Sequence, residues 1–111
     1  VINYLITITF LDKRATVDIK VTGTDNVLVS LEMNFRKGGK FSGVITDKNR
    51  SDSYFLEEGY GAYSNDGSVI NFGPGKIEHQ WGTMRGMDEK PYGNTVYING
   101  HTPFIHTLEI Y

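Results

Sequence analysis

Strict alternation of apolar and polar residues is the feature that most constrains the fold of this chain. Residues 15–22 read Ala-Thr-Val-Asp-Ile-Lys-Val-Thr, so nearly every second side chain is apolar. Because successive side chains of a β-strand point to opposite faces, such a segment is expected to bury one face and wet the other. The same period of two recurs in residues 2–10 and 27–35. The pattern predicts β-strands in the first third of the chain.

Turn sequences divide the rest of the chain into further short strands. Asn65-Asp66-Gly67 and Asn99-Gly100 are typical of hairpin turns. The segments between turns predict six more strands, at residues 40–47, 53–57, 60–64, 68–72, 95–99 and 104–111. About nine short strands of uneven length in 111 residues favour one all-β domain over residues 1–111, an antiparallel β-sandwich of jelly-roll type.

Composition narrows the classes of function. The net charge is −2 and charges of both signs are interspersed, which disfavours nucleic acid and membrane surfaces as partners. The chain has no cysteine, and no apolar run approaches the length of a membrane-spanning helix. It begins at Val1 in a strand-like run without a signal-peptide pattern, so we expect a module of a longer protein whose targeting signal lies outside this fragment.

Residues 73–93 break the strand rhythm and are expected to form a functional loop. Glycine and proline interrupt this segment, yet it carries the chain's one tryptophan. Tyrosine and tryptophan rings stack on the apolar faces of sugars, while Arg and His donate to hydroxyl or acidic groups. The candidate sugar-binding residues are Tyr60, Tyr63, His79, Trp81, Arg85 and Tyr97. The alternative for each aromatic residue is packing, since aromatic side chains favour strands in any case.

The chain contains a calcium-loop spacing and three histidines, and simpler explanations account for both. Asp47, Asn49, Ser51 and Glu58 occupy the first, third, fifth and twelfth positions of an EF-hand spacing. Asp52 stands where that loop needs glycine, and strands flank it, so a polar hairpin loop is the better interpretation and no cofactor is predicted. The three histidines, His79, His101 and His106, lack metal-ligand spacing, and His106 shares the parity of apolar neighbours that point inward.

Catalysis by this module alone is disfavoured. Acids for a carboxylate pair are available at Glu57, Glu58, Glu78, Asp88 and Glu89, but their geometry is not fixed by the sequence. No nucleophile elbow and no phosphate-binding loop occurs.

Several short phrases resemble β-sandwich accessory modules of bacterial carbohydrate-active enzymes, with heparinase-II/III-like lyases as one example. They are Leu-Glu-Glu-Gly-Tyr-Gly-Ala-Tyr at residues 56–63, Ile-Asn-Phe-Gly-Pro-Gly at 70–75, Glu-His-Gln-Trp at 78–81, Met-Arg-Gly at 84–86, and Tyr-Ile-Asn-Gly-His-Thr-Pro-Phe at 97–104. The resemblance covers roughly residues 30–111. It implies a non-catalytic module that contacts polysaccharide or braces an adjoining catalytic domain, in a secreted or periplasmic protein.

Three hypotheses follow from the sequence. The leading one is a carbohydrate-binding or accessory module attached to a polysaccharide-degrading enzyme, with a polysaccharide or oligosaccharide as ligand. The second is a structural or protein-interaction module that dimerises or braces a neighbouring domain. The third is a small enzyme that uses paired carboxylates or a histidine–acid pair.

Overall fold

The computed structural model describes residues 1–47, 50–76 and 93–111, and this part of the chain is all-β with no helix. None of the described residues therefore forms a helix that could cross a membrane. The strands are β1 (Ile2–Leu11), β2 (Arg14–Gly23), β3 (Leu28–Arg36), β4 (Lys40–Ser42), β5 (Ile45–Thr46), β6 (Ser53–Phe55), β7 (Gly61–Asn65), β8 (Ser68–Gly73), β9 (Gly93–His101) and β10 (Phe104–Ile110).

Two sheets of unequal width form a β-sandwich, as the sequence predicts. The large sheet has the strand order β1-β2-β10-β8-β7-β4, and the small sheet has the order β3-β9-β6-β5. Pairing is antiparallel except between β6 and β9, which run parallel from Ser53↔Thr95 to Phe55↔Tyr97. The prediction of an antiparallel sandwich is therefore confirmed for its architecture, with one parallel pair as the exception.

The described residues contain ten strands rather than about nine, because residues 40–47 form two. β4 pairs with β7 in the large sheet, whereas β5 pairs with β6 in the small sheet. Gly43 lies between them with φ of 76°, and a Cβ atom there would lie 2.5 Å from the Tyr60 carbonyl oxygen. The chain thus changes sheets at a residue where only glycine combines this backbone conformation with such a close approach.

The core lies between the two sheets. Ile19, Val21 and Phe104 face inward from the large sheet, and Val96 and Ile98 face them from the small sheet, all nearly or fully buried. At the β4 end, an aromatic group extends this core, with Phe35 and Phe72 ring centroids 5.1 Å apart. Apolar burial of this extent is the main stabilising contribution to a domain of this size.

β1 shares the alternating pattern but not the burial. It pairs with β2 along its whole length, from Ile2↔Gly23 to Leu11↔Arg14. Of its residues, Ile2 packs against the core, while the remaining nine are exposed. The reason is the difference in sheet width: the large sheet continues past the small sheet, and β1 forms its outermost strand.

Candidate functional site

Two tyrosines, an arginine and a glutamate form a cluster on the surface of the large sheet. We call Arg14, Tyr60, Glu109 and Tyr111 the tyrosine cluster. The Tyr60 hydroxyl donates to Glu109 Oε1 at 2.6 Å, and Arg14 Nη1 donates to Glu109 Oε2 at 2.6 Å. The Tyr60 and Tyr111 ring centroids are 6.2 Å apart at an interplanar angle of 62°, and each residue is 44% exposed. Arg14 Cζ lies 4.5 Å from the Tyr111 ring centroid.

Strand pairing brings these residues together from three parts of the chain. Arg14 begins β2, and Glu109 lies in β10, which pairs with β2. Tyr60 immediately precedes β7 and reaches Glu109 across Gly73, which is the β8 partner of Glu109. A Cβ atom at Gly73 would lie 3.0 Å from Tyr60 Cα, so a larger residue there would displace the tyrosine.

Tyr111 is held by the backbone of β8. Its N–H donates to the Asn71 carbonyl at 2.9 Å, and the Asn71 N–H donates to the Tyr111 carbonyl at 2.7 Å. The Tyr111 ring therefore projects from a backbone that two hydrogen bonds to Asn71 hold in place. An anchored aromatic residue loses less conformational freedom when a ligand binds it.

Hydrogen bonding shifts the pKa values of Glu109 and Tyr60 in opposite directions. The hydroxyl of Tyr60 lowers the pKa of Glu109 because its hydrogen bond stabilises the carboxylate, and the positive charge of Arg14 acts in the same direction. The same hydrogen bond raises the pKa of Tyr60, since the carboxylate holds the phenolic proton. The hydrogen bond therefore favours a Glu109 carboxylate that accepts from a protonated Tyr60 hydroxyl.

This arrangement suits a hydroxyl-rich ligand. Each Glu109 oxygen accepts one hydrogen bond within the cluster and retains capacity for another, and Arg14 has five N–H donors of which one is shown to bond Glu109. One face of Tyr111 is covered by Arg14, so Tyr60 is the ring better placed to stack on a sugar. The cluster combines an apolar ring face with charged hydrogen-bonding groups beside it.

Tyr63 and Tyr97, two of the predicted binding residues, lie in the interior. Tyr63 is 5% exposed, its hydroxyl donates to the Arg36 carbonyl, and its ring centroid is 5.0 Å from that of Phe35. Tyr97 is fully buried, with its ring centroid 6.0 Å from that of Phe55. A sugar cannot reach either ring face in this arrangement. Both residues therefore fit the packing alternative.

Of the other candidates, Tyr60 belongs to the tyrosine cluster, whereas His79, Trp81 and Arg85 lie outside the described residues. Most of the expected functional loop at residues 73–93 lies there too. The structure thus brings one sequence-predicted site residue, Tyr60, together with three that the sequence reasoning did not select.

Of the cluster residues that the sequence did not indicate, strand parity could place Glu109 and Tyr111 on the water-facing side, but it could not identify Arg14. The parity of the last strand places Phe104 and Leu108 inward, which puts Glu109 and Tyr111 on the opposite, water-facing side. Arg14 carries no such signal, because it meets Glu109 across 95 positions of sequence. Only the pairing of the second strand with the last one joins them.

The structure places His106 and most of the residues of the calcium spacing. His106 is partly buried at the core edge, and its Nε2 lies 2.6 Å from the Pro74 carbonyl oxygen, which is the arrangement of a structural histidine. In the described ranges no three residues of the His, Asp and Glu types gather as a metal site would require. Asn49, one of the four positions of the calcium spacing, lies outside those ranges.

Comparisons with known proteins give no relative for this chain: no family model, no curated protein and no solved structure matches.

Proposed function

We propose that this chain is a non-catalytic carbohydrate-binding or accessory module of a polysaccharide-degrading enzyme, and that the tyrosine cluster is its contact surface. The observation that carries the proposal is the pairing of half-exposed Tyr60 with the Glu109–Arg14 ion pair. An aromatic face beside charged donors and acceptors is the combination that a sugar needs. A secreted or periplasmic location and an adjoining catalytic domain belong to the same proposal.

Arg14 also suggests a class of ligand. Its guanidinium matches the geometry of a carboxylate, so an acidic sugar would gain a bidentate contact that a neutral sugar lacks. Glu109 opposes this by repelling an anion, but its charge is already compensated by Arg14 and by the Tyr60 hydroxyl. We therefore expect binding of both neutral and acidic glycans, with the acidic ones more sensitive to salt.

Titration with neutral and acidic oligosaccharides tests the proposal. We expect Tyr60→Ala to weaken binding by roughly 5- to 30-fold, as loss of a stacked ring removes on the order of 1–2 kcal/mol. Tyr4→Ala is the matched control, because Tyr4 is also an exposed tyrosine but lies on β1 away from the cluster. A flat response of the wild-type chain to every glycan would reject sugar binding.

The fluorescence of Trp81, the one tryptophan, distinguishes sugar binding at the tyrosine cluster from sugar binding elsewhere on the chain. A glycan-induced change that Tyr60→Ala leaves intact would reject the tyrosine cluster as the site while retaining sugar binding. A change abolished by Tyr60→Ala supports the cluster.

The second hypothesis, a structural or protein-interaction module, is favoured by a different surface. The exposed apolar side chains of β1 are unusual for a free strand edge, and they lie at the rim of the large sheet. This surface and the tyrosine cluster are distinct, so binding a sugar and binding a protein are compatible.

A further inference from the structure

The outer edge of β1 has none of the features that usually prevent strands from pairing. Among the described residues, β2 is the one strand that pairs with β1, and no other described strand covers its outer edge. Proteins protect such edges with charged residues, prolines, bulges or short strands. β1 is ten residues long, pairs with β2 without a bulge, and contains no charged residue and no proline between Ile2 and Leu11.

The hairpin turn determines which backbone groups face the open edge. Asp12 and Lys13 form a two-residue turn, so Leu11 and Arg14 are expected to be a hydrogen-bonded pair. Alternation then directs the N–H and C=O groups of odd-numbered residues towards β2. Those of even-numbered residues point outward, and the even-numbered residues are Ile2, Tyr4, Ile6, Ile8 and Phe10.

The side chains of β1 expose a large apolar area. Tyr4 is 72% exposed and Phe10 is 78% exposed, which together amounts to roughly 300 Å² if each ring residue offers about 200 Å². Four aliphatic residues, each more than half exposed, add a comparable area; they are Leu5, Ile6, Ile8 and Leu11. The sum of about 600 Å² lies on the two faces of the sheet, and pairing at the β1 edge would bury part of it together with the outward-facing backbone groups.

We propose that β1 pairs antiparallel with β1 of a second copy of this chain, about a twofold axis at Ile6. The two large sheets would then join into one continuous twelve-stranded sheet. Ile6 would lie opposite Ile6 of the second copy, Tyr4 opposite Ile8, and Ile2 opposite Phe10. This inference deepens the protein-interaction hypothesis by naming the partner, and it is independent of sugar binding.

The register follows from the sequence of β1. Pairing must match outward-facing residues, so the axis is restricted to positions that pair even-numbered residues with each other. An axis at Thr7 would set Ile2 opposite Asp12, and an axis at Leu5 would leave Phe10 and Leu11 unpaired. An axis at Ile6 uses the whole strand and places aromatic residues opposite β-branched ones, a favourable cross-strand combination.

A second copy fits this edge because the strand is uncharged. A twofold axis pairs the strand with an identical strand of the same charge, so side chains of one sign along it would repel those of the copy. β1 has no charged side chain along its length, so antiparallel self-pairing brings no like charges together within the strand.

Single cysteine substitutions test both the dimer and its register, since the chain contains no cysteine of its own. With the axis at Ile6, two Ile6→Cys chains would bring their Cα atoms to about 5.5 Å, within the range of a disulfide. Phe10→Cys is the matched control, because it lies on the same face of the same strand but about 27 Å from its equivalent. We expect mild oxidation to cross-link Ile6→Cys into a dimer and to leave Phe10→Cys largely monomeric.

Sedimentation of the 111-residue chain provides the second measurement. We expect a concentration-dependent dimer that Ile6→Lys weakens by at least about 100-fold, because two ammonium groups would face each other across the axis. Val69→Lys, on the exposed surface of β8 in the same sheet, should leave the dimer intact. Circular dichroism of each variant verifies that the fold is retained.

Three outcomes would overturn the inference. A wild-type monomer at concentrations of hundreds of micromolar would reject the dimer while leaving the sugar proposal unaffected. Equal cross-linking of Ile6→Cys and Phe10→Cys would reject the register. A monomeric chain that binds an adjoining domain, and loses it with Ile6→Lys, would reject self-pairing but retain the interaction function.

Discussion

β1 and β2 are neighbouring strands with the same alternating pattern and opposite environments. Ile6 pairs with Ile19 and Tyr4 pairs with Val21, so each pair shares one face of the large sheet. Ile19 and Val21 are 5% and 3% exposed, whereas Ile6 and Tyr4 are 56% and 72% exposed. The difference arises because the small sheet covers the inner face of β2 and not that of β1.

Strand formation and burial of a strand's apolar face are two separate properties, although one alternating pattern suggests both. Alternation indicates that a segment is a strand and which side chains share a face. Whether that face is covered depends on how many strands the opposite sheet has, which is a property of the whole fold. An apolar face that is left uncovered at a sheet edge therefore indicates a missing partner. An apolar face that the opposite sheet covers gives no such indication.

The largest expected effect comes from removing a buried aromatic ring next to β2, in contrast to an exposed ring on β1. Phe104 on β10 pairs with Val21 of β2, and Phe10 lies on β1. Phe104→Ala should lower the free energy of unfolding by about 3–5 kcal/mol, because its fully buried ring would leave a cavity. Phe10→Ala should change it by about 0.5 kcal/mol or less, since that ring is already in water. Urea unfolding of both variants measures the contrast, at a chain concentration where sedimentation shows a monomer.

Equal losses from the two phenylalanines would contradict the exposure of β1 in a single chain. They would mean that Phe10 is covered within one molecule, and the inference of a second copy would lose its basis.

A smaller effect is expected at the β4 end of the large sheet, where Gly39 lies against the Tyr63 ring. A Cβ atom at Gly39 would lie 2.3 Å from the Tyr63 ring, so Gly39→Ala should destabilise the chain by about 1–3 kcal/mol through overpacking. Tyr63→Leu removes the ring that the methyl group would meet. The two changes should therefore be non-additive in a double-mutant cycle of unfolding free energies. Additive losses would show that the clash is not the cause.

The sharpest test of the comparison applies one substitution to two paired residues. Ile19→Val should cost about 0.5–1.5 kcal/mol because it removes a buried methyl group. Ile6→Val, across the same strand pair, should be close to neutral in a monomeric chain. If a monomer loses equal stability from both changes, differences in sheet width do not explain the burial of these strands.

Local signals predicted much of the fold. Alternation identified β1, β2 and β3, and Asn65-Asp66-Gly67 marked a hairpin in which Asp66 and Gly67 adopt positive φ values of 53° and 81°. These features depend on neighbouring residues alone, so they can be read from short segments.

What the sequence could not predict depends on contacts between distant segments. The division of residues 40–47 between two sheets and the parallel pairing of β6 with β9 each require knowledge of the partner strand. The same holds for the tyrosine cluster, in which Arg14 meets Glu109 across 95 positions. The residue type of Tyr60 makes it a candidate from sequence, but the contacts that make it part of a site come from topology.

The smallest expected effect is a pH dependence in the tyrosine cluster, which lies on the exposed side of the large sheet. The pKa of Glu109 lies below its ordinary value of 4.5 because Tyr60 donates to the carboxylate. A lowered pKa means that this hydrogen bond stabilises the folded chain above the unfolded pKa, and that the contribution is lost as pH falls through the folded pKa. The pKa of Tyr60 lies above its ordinary value of 10.0, so its contribution is lost only as pH rises through that higher value.

NMR titration of the Glu109 carboxyl carbon measures this coupling directly. Tyr60→Phe should raise the pKa of Glu109 towards its ordinary value, since the ring remains but the hydroxyl donor is gone. Tyr4→Phe, on the exposed β1, should leave it unchanged. If the proposed sugar site needs the Glu109 carboxylate as an acceptor, glycan affinity should fall with decreasing pH at the same pKa that the titration reports. In Tyr60→Phe that fall should shift to higher pH. An affinity that stays constant while Glu109 becomes protonated would exclude the carboxylate from the contact surface.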